Sequence, residues 1–138
     1  MSDIFHLIAS SKPGVQRDEL KQAEEALAVT LPEQYNQMFL QTNQAEFGDW
    51  TLFPIKTNSN LKKTWDDLVR QNQSERNDHW PDHFCAIGED GLGNYIGFVS
   101  QGAELAPAVY YWDHEELELR QEAPTLFEFI RSVSEDYE

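Results

Sequence analysis

The chain has 138 residues and a formal net charge of −15, with 25 acidic residues against ten Lys and Arg. This shortage of cations disfavours direct binding to nucleic acid or to anionic membranes, because both are recognised through clustered Lys and Arg. Aromatic residues make up 12% of the chain, which is enough apolar surface for a core, so we expect one folded domain over residues 1–138. Residues 101–138 hold ten acidic and two basic residues, and this acidic end would attract a basic partner.

Cysteine content and hydropathy indicate the cellular compartment in which we expect the protein. Cys85 is the single cysteine, which excludes an internal disulfide and a cysteine-based zinc site, and its apolar neighbours are typical of a buried core residue. The N-terminus lacks the basic and apolar regions of a signal peptide, and no apolar run approaches the roughly 20 residues of a membrane span. We therefore expect a cytoplasmic protein.

Helices are predicted first along the chain. Residues 2–10 and residues 16–29 carry apolar side chains at helical spacing. Pro32 suits the first position of a third helix, which we expect to run to about Thr42. Asn43 is the expected left-handed residue that ends this helix, because Asn tolerates a positive φ.

The central part is predicted to contain a strand, a helix and a loop. Residues 47–55 contain turn residues followed by a strand, and Pro54 places that strand at a sheet edge or near its own end. Residues 58–73 carry Leu, Trp and Val on one helical stripe. Residues 74–83 are polar and include Asn77, Asp78 and Pro81, so we expect a loop there.

A hairpin is predicted over residues 84–100. Two apolar runs flank a segment with several glycines and Asn94, and these residue types accept positive φ angles and tight turns. Gly97 lies inside the second run and indicates a bulge or a close backbone approach. Residues 101–107 are expected to connect the hairpin to the next strand.

Two more strands are predicted to complete the sheet. Residues 108–113 are apolar and aromatic, as expected for a strand in a sheet. Residues 116–121 alternate apolar and charged side chains, which predicts a half-buried edge strand with Leu117 and Leu119 facing inward.

A final helix is predicted over residues 125–135, because Thr125 and Glu128 have the spacing of a capping box. Residues 134–138 are expected to fray. The order of helices first, then an antiparallel meander and then a closing helix indicates the α+β class. We thus predict N-terminal helices, a central antiparallel β-sheet and a C-terminal helix.

Candidate catalytic and metal-binding residues are few. His114 is flanked by Asp113 and Glu115, which are residue types of a general base or a metal site. We favour a strand-to-turn junction with exposed acids instead, because neighbours on a strand point in different directions. His79 and His83 have a helical metal-ligand spacing, but the proline between them argues against a helix. We predict no catalytic residue, no metal and no cofactor.

Two other features bear on ligand binding. Residues 88–94, GEDGLGN, superficially suggest a phosphate loop, but they lack its Lys-Ser/Thr pair and lead into a strand. A hairpin turn explains these glycines better. Trp80 lies in the polar loop and is our candidate for an exposed aromatic contact with a partner.

Several short motifs occur in the order found in a known family. They are LPEQY at 31–35, LFPI at 52–55, FCAIGEDGLGN at 84–94, VYYWDH at 109–114 and TLFEF at 125–129. With these motifs the sequence resembles the SUKH superfamily, which includes a fungal cell-wall-synthesis regulator and many bacterial toxin-immunity proteins. The match covers about residues 15–131. One departure is that the family usually has Asn-Gly after its second helix, whereas Gln44 follows Asn43 here.

The resemblance implies an α+β fold, no catalytic residues and a protein partner. Bacterial members are implied to neutralise toxins by direct binding, often nucleic-acid-directed enzymes, and a strong negative charge suits a basic toxin. We predict an immunity-type binding protein; the alternatives are a regulatory interaction scaffold and a small hydrolase or metal-dependent enzyme. The candidate partner-binding residues are Trp80, Glu89, Asp90, Asp113, His114, Glu115, Glu116 and Glu118.

Overall fold

The computed structural model describes residues 7–9, 12–57, 67–73 and 81–137. Along this part of the chain the elements are β1 (Lys12–Pro13), α1 (Arg17–Leu27), α2 (Glu33–Gln41), β2 (Thr42–Asn43), β3 (Glu46–Phe47), β4 (Trp50–Leu52), α3 (Leu68–Gln73), β5 (Phe84–Glu89), β6 (Tyr95–Gln101), β7 (Glu104–Leu105), β8 (Val109–Asp113), β9 (Glu118–Ala123) and α4 (Leu126–Tyr137). Helices precede an antiparallel sheet and a helix closes it, so the predicted α+β class is confirmed.

The main sheet is an antiparallel meander. Among the described strands its order is β3-β4-β5-β6-β8-β9, and β7 pairs with β6 as a side branch. The predicted hairpin over residues 84–100 is confirmed as β5 and β6, which pair from Phe84 with Val99 to Glu89 with Tyr95. A register shift between Ala86 and Gly88 interrupts this pairing. The hairpin therefore lies in the middle of the sheet and positions the strands on both sides.

Aromatic side chains join the helices to the sheet. Tyr35 of α2 stacks on Phe39 with ring centroids 4.4 Å apart, and its ring meets the edge of Phe98 of β6 at 6.2 Å. On α4, Phe129 contacts Trp50 of β4 with ring centroids 5.9 Å apart. These rings are all buried, so the core lies between the sheet and helices α2 and α4.

Most predicted helix bounds are close to the observed ones. The helix predicted over 16–29 is α1, with Gln16 as its cap. Pro32 precedes the first turn of α2 instead of lying in it, because its backbone is extended. In α4 the Thr125 Oγ1 accepts the Glu128 N–H at 3.3 Å, as a capping interaction requires. α4 reaches Tyr137, beyond the predicted end at residue 135, and the fraying expected for residues 134–138 stays a prediction.

Other predictions need correction at short strands. The predicted connection over 101–107 contains β7, which pairs Glu104 with Gln101 and Leu105 with Ser100. Ala9 forms an isolated antiparallel bridge with Glu46, so the end of the helix predicted over 2–10 is not helical. These pairings are too short to leave a period in the sequence.

Some predictions fall outside the described residues. Residues 1–6, most of the helix predicted over 58–73 and residues 74–80 are among these. His79 and Trp80, the predicted aromatic contact, therefore lie outside the described part of the chain. Residues 81–83 precede β5 without regular structure, in agreement with the predicted loop.

The prediction for Asn43 is wrong. Asn43 lies in β2, where it pairs with Lys12, and the positive φ of 59° falls on Gln44. The buried Asn43 amide is needed elsewhere, because its Oδ1 accepts the Ile55 N–H at 2.8 Å and its Nδ2 donates to the Ile55 carbonyl at 2.9 Å. The left-handed turn thus occurs at the position where the resembling family usually has Gly.

We expect Gln44→Gly to raise the free energy of unfolding by about 0.5–1 kcal/mol, because Gly adopts a positive φ without the steric cost of a Cβ. Urea unfolding followed by tryptophan fluorescence would measure this change. The control is Gln44→Ala, which keeps the Cβ and the strained φ while it removes the rest of the side chain. A Gly variant no more stable than the Ala variant would contradict this reading of Gln44.

Candidate functional site

Two turns lie side by side at one end of the sheet. The turn between β5 and β6 and the turn between β8 and β9 meet there because β6 pairs antiparallel with β8, with Tyr95 opposite Trp112. Asn94 joins the turns: its Oδ1 accepts the His114 N–H at 3.2 Å and lies 2.7 Å from the His114 Nδ1. We call residues 89–94 and 113–118 the paired tips.

Asp90 organises the first tip. Its Oδ1 accepts the N–H groups of Leu92 at 2.8 Å and of Asn94 at 3.2 Å, and its Oδ2 accepts the Asn94 side-chain amide at 3.0 Å. Gly91 and Gly93 have φ angles of 80° and 99°, so the glycines serve the turn geometry as predicted. These bonds fix Asn94 where it reaches His114.

Asp113 organises the second tip. Its Oδ1 accepts the N–H groups of Glu115 at 2.9 Å and of Glu116 at 3.1 Å, and its backbone carbonyl accepts the Leu117 N–H at 2.8 Å. The N–H groups of Glu116 and then Glu115, followed by the Arg120 guanidinium, hold the pKa of Asp113 below its ordinary value. The charged form of Asp113 is therefore the form that holds this turn.

We expect the second tip to loosen in acid. Because the pKa of Asp113 is lowered in the folded protein, its stabilising effect is present above the ordinary pKa and disappears as the pH falls through the folded value. Amide hydrogen exchange at Glu115 and Glu116, measured by NMR, should accelerate in that range relative to the rate of an unstructured amide at the same pH. In Asp113→Asn this acceleration should be absent, since the amide of Asn does not titrate. An equal acceleration in both proteins would contradict the assigned role.

The paired tips carry an excess of negative charge. They contain six carboxylates and one His, with no Lys or Arg. Arg120 of β9 lies beside them, 3.5 Å from Asp113, 3.6 Å from Glu118 and 3.7 Å from Glu122, so three carboxylates share one guanidinium. Among the described residues no cation lies at ion-pair distance from the exposed Glu115 or Glu116. The tips therefore present a negative field to solvent.

Most of this chain matches a known protein family. A model of the SMI1/KNR4 family (SUKH-1) matches residues 14–132, which is most of the chain. The chain belongs to the SMI1/KNR4 family. The resemblance seen in the sequence motifs is thus confirmed, over nearly the same residues. Among curated proteins the comparison found no match. Membership is consistent with an immunity role or a regulatory binding role.

In this SMI1/KNR4 protein the structure brings together seven of the eight predicted site residues, and Trp80 is the one outside the described part. Glu89, Asp90 and Asp113 are half-buried. The exposed members are His114, Glu115, Glu116 and Glu118. Their role in binding a partner stays a prediction. Asp90 and Asp113 also have a structural role that their sequence context did not reveal, since each closes its own turn.

Sequence reasoning missed two apolar residues on the paired tips. Leu92 is 74% exposed and Leu117 is 53% exposed. Leu117 was predicted to face inward, which is wrong, because β9 begins at Glu118 and Leu117 lies in the turn with a φ of 55°. The sequence does contain a signal for the exposure of Leu92, because an apolar residue between turn glycines has no strand to bury it.

The residues that suggested a catalytic or metal site are His79, His83, Asp113, His114 and Glu115. The Asp113 Oδ1 accepts turn amides and the His114 Nδ1 lies against Asn94, so these two side chains bind different groups. His83 is exposed in the turn before β5, and His79 is outside the described part. Among the described residues, no three His, Cys, Asp or Glu side chains form a group that could hold a metal ion.

None of the described helices is long and apolar enough to cross a membrane.

A cleft of about 480 Å³ lies between α1 and α3, away from the paired tips. Its lining includes Ala23 and Ala26 of α1 and the buried Asp67. Burial raises the pKa of Asp67, while N–H groups of Arg70 and Val69 act in the opposite direction. The Asp67 carboxylate thus caps the start of α3. This structural role accounts for a carboxylate in a buried position.

Proposed function

We propose that this protein is a non-enzymatic binding protein that neutralises a basic toxin by direct contact, as an immunity protein does. The observation that carries the proposal is the position of Glu115 and Glu116 on a hydrogen-bonded turn, exposed and with no cation of the described residues at ion-pair distance. Family membership supports a binding role, and the net charge of −15 supports a basic partner. The protein would act in the cytoplasm, where it would meet the toxin before the toxin reaches nucleic acid.

The tips are suited to such a contact for a physical reason. Side-chain oxygens of Asp90, Asn94 and Asp113 accept backbone N–H groups, within each turn and between the two tips. A surface that is already ordered loses little conformational entropy when a partner binds. The carboxylates of Glu115 and Glu116 would steer a cationic surface and cover it, so that nucleic acid could no longer bind there.

The test is rescue of growth on co-expression with a toxin encoded by the neighbouring gene. Three proteins would be compared: the natural chain, the tip variant Glu115→Gln/Glu116→Gln/Glu118→Gln, and a control variant of equal charge. The control is Asp18→Asn/Glu25→Gln/Glu104→Gln, whose residues are exposed on α1 and β7. None of the three tip substitutions removes a side chain that closes a turn.

We expect the control to rescue growth as the natural chain does and the tip variant to fail. In the purified pair, the tip variant should bind about tenfold or more weakly, mainly through slower association, and added salt should reduce this difference. Equal rescue by the tip variant would exclude the tips as the contact. A gene neighbourhood without any toxin would instead favour the second candidate, a regulatory scaffold, which family membership supports equally.

A further inference from the structure

The paired tips carry apolar as well as acidic side chains. In the part of the chain that the structure describes, the large apolar residues with the most exposed side chains are Leu92 and Leu117, and they lie one on each tip. Single exposed leucines are ordinary on protein surfaces. A pair on adjacent turns that are joined by the bonds between Asn94 and His114 is a defined surface feature.

Folding does not account for Leu117. Its φ of 55° is a conformation in which a residue with a Cβ is about 1 kcal/mol or more less stable than Gly. More than half of its side chain is exposed, so burial in the core returns little of this cost. Gly or Asn would fit this turn with less strain. The presence of an exposed Leu at this strained position therefore points to a contact outside the chain.

The negative charge around Leu92 and Leu117 limits the kinds of surface that can bind these two side chains. Glu116 and Glu118 flank Leu117 in the sequence, and Asp90 lies two residues before Leu92. A second copy of this chain would bring the same carboxylates together, and an anionic membrane would meet them with like charge. A surface that is both apolar and cationic matches both properties of the tips.

We infer that Leu92 and Leu117 are the apolar anchors of the paired tips, and that they insert into an apolar recess ringed by Lys and Arg on a partner protein. This inference rests on the proposed function and adds the chemistry of the partner's surface. In many interfaces a few side chains that are buried at the centre, inside a polar rim, contribute most of the affinity.

Two synthetic peptides provide the test. They have the same length and the same number of Lys residues, and the positions between the lysines are Leu in one and Ser in the other. NMR titration of the full chain would report the dissociation constant of each peptide and the amides that shift. We expect the Leu peptide to bind about tenfold more tightly than the Ser peptide, with shifts at residues 90–94 and 113–118.

Variants of the chain separate the anchors from the charge. In Leu92→Ser/Leu117→Asn the preference for the Leu peptide should vanish, and Asn at 117 tolerates the positive φ, so the turn should stay folded. In Leu92→Met/Leu117→Met the preference should persist. If both peptides bind the tips of the natural chain equally, the anchors are overturned while the proposed acidic contact stands. If neither peptide shifts the tip amides, the proposed function loses its contact surface as well.

Discussion

Replacing Gly97 by Ala is expected to lower the free energy of unfolding by about 3–5 kcal/mol, one of the largest effects of any single methyl group in this protein. A Cβ at this position would lie 2.0 Å from the carbonyl oxygen of Cys85 and 2.9 Å from the Cα of Ala86. Both atoms belong to the backbone of β5, so no side-chain rotation relieves the collision. The central hairpin would have to separate beside its register shift.

Gly102→Ala is the matched control for this experiment. Gly102 lies in the turn after β6 with a φ of 67°, and a Cβ there would meet no atom within 4 Å. That variant should lose about 1 kcal/mol from backbone strain alone. Urea unfolding of the two variants would compare a steric collision with a conformational cost. Equal losses would show that the strands at Gly97 move apart more easily than their pairing implies.

The position of Gly97 is one of the features that the sequence could predict. A glycine within an aromatic and β-branched run has few explanations other than a bulge or a close approach, and the structure shows the close approach. The hairpin and the closing helix were predictable for a similar reason, because their signals are local. These signals are apolar runs, turn glycines and the spacing of Thr125 and Glu128, and each of them spans only a few residues.

The paired tips could be predicted only as separate pieces. Asn94 and His114 are twenty residues apart, and their contact depends on which strands are neighbours in the sheet. The sequence marked the acidic residues near His114 and the turn at Asp90, but it contained no local sign that they meet. The strand order of the sheet explains why the two turns meet, because β6 lies between β5 and β8.

Two local predictions were wrong because distant contacts decided them. Asn43 is the better residue for a positive φ by its chemistry, yet its amide pairs with the backbone of Ile55 twelve residues away, and Gln44 takes the strained angle. For Leu117, the alternating pattern placed the strand start too early. The Asp113 side chain holds the amides of a turn in that place, so the alternation begins at Glu118.

Asn72 makes a contact with a residue distant in the sequence, and we expect this contact to have a large effect on stability. It lies on α3 and is buried, and its side chain bonds Ala86 of β5, beyond Gly88 and Glu89, the residues of β5 that pair with β4. The Oδ1 accepts the Ala86 N–H at 2.9 Å, and the Nδ2 donates to the carbonyls of Ala86 at 2.8 Å and Leu68 at 3.0 Å. The amide of Asn72 thus attaches α3 to the central hairpin.

We expect Asn72→Ala to lower the free energy of unfolding by about 3 kcal/mol, because it leaves the buried N–H and carbonyl of Ala86 without their side-chain partner. The control is Gln73→Ala on the same helix, which loses an exposed hydrogen bond to the Ala26 carbonyl and should lose about 0.5 kcal/mol or less. Urea unfolding would measure both changes, and similar losses would show that the Ala86 backbone finds other partners.

Asn72→Asp separates the hydrogen bonds from the space that the side chain fills. At neutral pH the new carboxylate would accept the Ala86 N–H but would repel the carbonyls of Ala86 and Leu68, so its pKa should be raised by burial and by these oxygens. A raised pKa means that stability is present when the carboxyl is protonated and is lost as the pH rises through the folded value. This variant should therefore recover part of its stability, relative to Asn72→Ala, as the pH falls from neutral to mildly acidic. A constant difference between the two variants across that range would mean that packing, and not the paired hydrogen bonds, is what Asn72 contributes.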